Sequence, residues 1–148
     1  MNRYIIIVLV SLILMGGAEK VNAQQRFLTA DNVFAEKVGG VKTVSETVVE
    51  GKQLSKYHLT LFHSLQCSAS SKGMSQIYKL IEKDVESGAA EKDVRKDADG
   101  FKFVLLKVDD PEVQAKYLIF QRKSPKEFVL VYLEGKVSPT QLKEMFNK

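Results

Sequence analysis

The chain has 148 residues, of which 27% are charged, with 22 Lys and Arg against 18 Asp and Glu. That length suffices for one domain with a core. The two signs are interspersed, so the concentrated basic face that nucleic-acid binding requires is not expected. The single cysteine, Cys67, excludes an intrachain disulfide and zinc sites of the multi-cysteine kind.

The amino end predicts an export signal. Arg3 gives a short positive start, and Tyr4 to Met15 is a run without charge. The run is long enough for the apolar part of a signal peptide and short of the roughly 20 residues of a spanning helix. Gly16-Gly17 breaks it, and Val21-Asn22-Ala23 puts small residues at the −3 and −1 positions of a cut between Ala23 and Gln24. An uncleaved anchor is the alternative. Residues 1–23 are thus expected to leave, with 24–148 as a single periplasmic or secreted domain that keeps no stable membrane insertion. Its 20 Lys and Arg against 17 Asp and Glu give a net charge of +3.

Residues 24–40 read as a short helix, with Ala30, Val33 and Phe34 at helical spacing, Thr29 or Asp31 as cap and Gly39-Gly40 as stop. Val41 to Glu50 is rich in β-branched residues and reads as a strand. Gly51-Lys52-Gln53 is a turn, and Tyr57 to Leu65 is a second strand that closes a hairpin. Met74, Ile77, Tyr78, Ile81 and Val85 form one helical stripe, started by Ser71 or Gly73 and stopped by Gly88. The charged stretch 89–100 reads as a loop ending in an Asp99-Gly100 turn. Strands follow at Phe101–Val108, Lys116–Gln121 and Phe128–Leu133. In the last helix Ser138 is the N-cap, Pro139 the first helical residue and Gln141 the partner in a capping box, with Val137 and Leu142 as a hydrophobic staple. The order α-β-β-α-β-β-β-α predicts an α+β domain: an N-terminal hairpin and a C-terminal three-strand antiparallel meander with helices packed on the sheet.

Phe128–Leu133 is apolar on both faces, as is Lys116–Phe120, whereas a strand with one wet face alternates. Either chain covers both sides, or one face meets a partner, with Tyr117, Ile119, Phe128, Leu130 and Tyr132 as candidate contacts for a protein partner or a second copy. Cys67 lies four residues after His63, a candidate nucleophile and base. His58 lies five before His63, an odd spacing that sends the two imidazoles to opposite faces of a strand. No orienting acid can be assigned, so an inert thiol, or one that cross-links two chains, is the competing reading. Asp109, Asp110 and Glu112 around Pro111 are acidic but lack calcium-loop spacing, and read as a solvated turn. The motifs imply no metal and no cofactor: phosphate-cradling, nucleophile-elbow and zinc-protease patterns are missing from the sequence.

The leader, the Ser-rich loop before the amphipathic helix, the meander and the ending Tyr132-Leu133-Glu134-Gly135-Lys136-Val137-Ser138-Pro139-Thr140-Gln141-Leu142 resemble small exported domain-of-unknown-function proteins of Bacteroidetes-type bacteria. The resemblance implies an envelope setting and transfers no catalytic residue. Two functional expectations result: a non-enzymatic envelope binding module that self-associates through the meander or serves a neighbouring protein, and a thiol-dependent hydrolase or redox enzyme using Cys67 with His63.

Overall fold

The computed structural model describes residues 27–146. The expected signal peptide and its Ala23–Gln24 cut lie outside the described residues. In chain order the elements are α1 (Leu28–Phe34), β1 (Val41–Glu50), a 3-10 helix (Lys52–Tyr57), β2 (Leu59–Ala69), α2 (Ser71–Val85), β3 (Glu91–Asp97), β4 (Gly100–Asp110), β5 (Gln114–Ser124), β6 (Glu127–Gly135) and α3 (Pro139–Phe146). The strands form one sheet in the order β1-β2-β6-β5-β4-β3, and every neighbouring pair is antiparallel. The α+β expectation therefore holds at the level of class, and its details change.

The meander has four strands, not three. Glu91–Asp97, expected as loop, pairs with β4 through a two-residue turn that joins Asp97 to Gly100. The Asp97 side chain accepts from the Asp99 backbone N–H at 2.8 Å and closes that turn. Hairpin and meander are also one sheet, because β2 pairs with β6 along Leu59–Ser68. β2 begins two residues later than expected. Tyr57 belongs to the 3-10 helix, and His58 caps it in the left-handed conformation with φ 61°, so His58 has no strand face. Its carbonyl accepts from the N–H groups of Lys136 and Val137, which ties the end of β6 to the start of β2.

Each helix end has an identifiable cause. Ser70, not Ser71 or Gly73, caps α2, its hydroxyl accepting from the Gly73 N–H at 3.1 Å. Gly88, φ 90°, sits in the left-handed region just beyond the helix. In α3 the capping box is made as expected: the Gln141 N–H donates to the Ser138 hydroxyl at 3.1 Å, and the Ser138 N–H to the Gln141 side-chain oxygen at 3.0 Å. α1 is shorter than expected, seven residues, and its N-cap residue Phe27 offers no side-chain hydrogen bond. Neither Thr29 nor Asp31 caps it. A residue of α2, Asp84, does so instead, accepting from the N–H groups of Leu28 and Thr29 at 2.8 Å and from the Thr29 hydroxyl at 2.6 Å.

Both sheet faces carry a buried cluster. On the first, Leu61, Leu65 and Cys67 of β2, Phe128, Leu130 and Tyr132 of β6, and Leu118 and Phe120 of β5 meet α1 and α2. On the second, Phe62, Val131, Leu133, Tyr117, Ile119 and Leu105 gather with Leu54 of the 3-10 helix and Leu142 of α3. That is why β5 and β6 read as apolar on both faces: they are the central strands. Burying one such Leu or Phe side chain contributes about 1.5–3 kcal/mol.

Candidate functional site

The candidates raised by the sequence fall into three places. Tyr117, Ile119, Phe128, Leu130 and Tyr132 are each 0–1% exposed. They do not form one patch: Tyr117 and Ile119 face the second cluster and the other three the first. The Tyr117 hydroxyl donates to the Val137 carbonyl, and burial pushes its pKa up to about 12. The Tyr132 hydroxyl donates to Glu134 at 2.6 Å, and burial together with that carboxylate raises its pKa. Both are anchored core residues, so the expectation of an accessible meander face is corrected: covered central strands have no face left to offer.

His63 and Cys67 share a face of β2, with Leu65 between them. Four strand residues separate their Cα atoms by about 13 Å, which rules out a hydrogen bond between the side chains. Burial pushes the Cys67 thiol up to about 11, with Thr43, its cross-strand partner, beside it. A nucleophilic cysteine needs the opposite shift. His63 stacks on Phe34 of α1 with ring centroids 4.0 Å apart, and its Nε2 lies 2.6 Å from Glu46 Oε2 of β1. Burial lowers the imidazole pKa while Glu46 pulls it upward. The orienting acid missing from the sequence thus exists, one strand away, but it orients a base without a nucleophile. The Asp109–Glu112 segment is the solvated turn it resembles: Asp110 Oδ1 accepts from the N–H groups of Glu112 and Val113. Those two bonds, with Lys116 beside them, hold the Asp110 carboxyl below its usual pKa.

One accessible surface lies around the start of β1. The two edges of the sheet differ in chemistry. β3 has six charged residues in seven, Val94 being the exception, and such charge discourages the addition of a further strand. β1 is longer and carries only Lys42, Glu46 and Glu50 as charged residues. Residues 42–46 are all exposed. Val44 is 67% exposed and lies where the β1–β2 register shifts between Thr43 and Ser45. Two depressions adjoin this edge. A groove of about 210 Å³ between α1 and α2 is lined by Asn32, Lys37, Val38, Gly39, Lys72, Gln76 and Leu80. The second, lined by Val33, Glu36, Val38, Val41 and Thr43, runs from Val38 to the beginning of β1. No side-chain pattern along the chain announces this surface. It exists because strand order leaves β1 at the margin, and because Gly40 and Gly73 bring the α2 start against it.

The fold and this surface define a class: an α+β domain built on a six-stranded antiparallel sheet, with helices α1 and α2 on one face and one lightly charged edge. Residues 18–146 match the family of unknown function DUF6108, and the chain belongs to that family. It is also similar to the crystal structure of a DUF4853 family protein from Actinomyces odontolyticus ATCC 17982, with 14% identity, a TM-score of 0.36, and coverage of 84% of this chain and 70% of that one. None of the curated proteins matches the chain.

Proposed function

We propose that this protein is a non-catalytic, exported interaction module that receives an extended segment of another protein along the outer edge of β1. The asymmetry of the two sheet edges carries the reading. A free edge presents a row of backbone N–H and C=O groups, and an added strand satisfies them while side-chain positions beside it select the sequence. β3 is guarded by charge, whereas the exposed stretch of β1 is Lys-Thr-Val-Ser-Glu with Val44 bare to solvent. The buried, high-pKa thiol and its separation from His63 weigh against thiol chemistry. Export rests on the amino-terminal signal pattern and sets the partner in the periplasm or outside the cell.

The test uses ¹⁵N-labelled protein purified after export, titrated with a ten-residue peptide of alternating Thr and Val. Shift changes confined to residues 41–50, and weakened by Val44→Lys, are expected. At 67% exposure that substitution leaves stability within about 0.5 kcal/mol. Equal responses in β1 and β3, or none in β1, would overturn the reading. Light scattering separates a second possibility: a concentration-dependent dimer lost in Val44→Lys would make a second copy the occupant.

A further inference from the structure

The groove between α1 and α2 opens beside the start of β1, and its chemistry is one-sided. Lys37 and Lys72 line it together with the amides of Asn32 and Gln76, and no carboxylate does. Neither lysine forms an ion pair among the described residues, where the paired lysines are Lys107, Lys116 and Lys143. The carboxylate whose field reaches Lys37 is Asp31, a residue that burial and Asp84 already hold above its usual pKa. The groove thus presents the ammonium groups of Lys37 and Lys72 and two amides, with the Asp31 carboxylate close enough for its field to reach Lys37.

Size narrows the ligand. At about 210 Å³ the groove is below the ~300–1,000 Å³ of sites that enclose a drug-sized molecule. It suits one acidic side chain. Position narrows it further. Val38 and Gly39 line the groove, and β1 begins at Val41, so groove and strand edge are separated by no more than about 10 Å of chain. A segment pairing antiparallel to β1 ends, at its carboxy-terminal side, at Val41. One to three further extended residues, at about 3.3 Å each, cover that distance.

We propose that this groove is a carboxylate subsite that selects, among extended segments added to β1, those with an acidic side chain just beyond their carboxy-terminal end. The inference rests on the β1-edge reading and names its ligand chemistry. Lys37 and Lys72 supply charge-assisted hydrogen bonds, Gln76 supplies a neutral one, and Val38 and Leu80 take the aliphatic stem, while the Asn32 amide is held at the rim by donating to the Leu28 carbonyl at 2.8 Å. Glu36, in the second depression, disfavours an acid placed too early and so helps set the register.

The experiment compares three probes on the ¹⁵N-labelled protein: the Thr/Val peptide extended by Asp-Glu, the same peptide extended by Asn-Gln, both amidated at the carboxy terminus, and free glutarate. The acidic peptide is expected to shift Lys37, Gly39 and Lys72 together with residues 41–46, and to bind roughly five- to tenfold more tightly than its amide counterpart, as two exposed ion pairs allow. Lys37→Glu combined with Lys72→Glu removes that preference and leaves the amide peptide's affinity unchanged. Equal binding of both peptides at β1 overturns the subsite and leaves the edge reading intact. Shifts at the groove with glutarate or the acidic peptide, and none in β1, uphold a carboxylate site and overturn the edge reading on which its role depends. No response at the groove to any probe overturns the proposal.

Discussion

The carbonyl oxygen of Gly40 lies 2.4 Å from where a Cβ on Gly73 would stand. Gly40 itself has φ 82°, with the Ser70 hydroxyl 2.5 Å from its own would-be Cβ. The Ser70 N–H donates to the Gly40 carbonyl at 2.9 Å. Two bare backbones thus meet where α2 begins and the loop from α1 turns into β1, beside the groove that Lys37 and Lys72 line. Gly73→Ala forces backbone against backbone, since the contact is not a flexible side chain, and is expected to cost about 1–3 kcal/mol. Urea unfolding measures it. A neutral result would mean that the α2 start is free to shift, and the groove with it.

Asp84 of α2 joins the two helices by hydrogen bonds as well as apolar contact. Its carboxylate accepts three hydrogen bonds from Leu28 and Thr29, in a site only 1% exposed, and it supplies the negative charge that a helix start favours. Asp84→Ala leaves buried donors without acceptors and is expected to destabilise by about 3 kcal/mol. Asp84→Asn recovers less than half of that, because its amide N–H₂ faces donors. Hydrogen exchange of the Leu28–Phe34 amides is expected to quicken more than that of β6. Uniform quickening would show that α1 docking is not a separate event.

These relationships differ in how far the chain discloses them. The stripe Met74, Ile77, Ile81 is visible in sequence, and Asp84 falls three residues after Ile81, on the same stripe, where a carboxylate signals a buried partner. The capping box at Ser138 and the Asp99-Gly100 turn are local, so local reading finds them. β3 escapes for the converse reason. Its charges are what a sheet margin carries, and its pairing with β4 is made by backbone groups that no side-chain pattern reports. Glu46 meets His63, and β1 becomes an exposed edge, only once strand order is set by contacts distant in sequence. Val44, Lys37 and Lys72 look like ordinary surface residues until that order is known.

Cys67 is expected to behave as a core residue. It is 3% exposed, and with its pKa at about 11 the thiolate fraction at pH 8 is on the order of one in a thousand. An aromatic disulfide reagent is expected to label it only as fast as the protein opens, and fully in denaturant. Cys67→Ala is expected to cost about 1 kcal/mol and to leave peptide binding at β1 unchanged. Rapid labelling of the native protein at neutral pH would restore the thiol-enzyme reading.

His63 gives the fold a pH dependence of definite sign. Burial lowers its pKa below the ordinary 6.5, so below that pH the unfolded chain binds a proton that the folded chain resists. The stability held by neutral His63 is fully present above about pH 6.5 and is lost as pH falls toward the folded value, with a slope of at most about 1.4 kcal/mol per pH unit. Asp31, whose carboxyl is raised by burial, acts in the opposite sense: its protonated form is favoured in the folded state, so it adds stability as pH falls through its raised pKa. His63→Gln separates the two, since only the His63 contribution disappears. Urea midpoints between pH 5 and 8 are expected to slope in the parent protein and to flatten in His63→Gln. Glu46→Gln sharpens the test. The half-exposed Glu46 carboxylate holds the His63 pKa up, so removing its charge is expected to lower that pKa further and steepen the loss on acidification. An unchanged or shallower slope in Glu46→Gln would mean that the Glu46 carboxylate does not hold the imidazole pKa up.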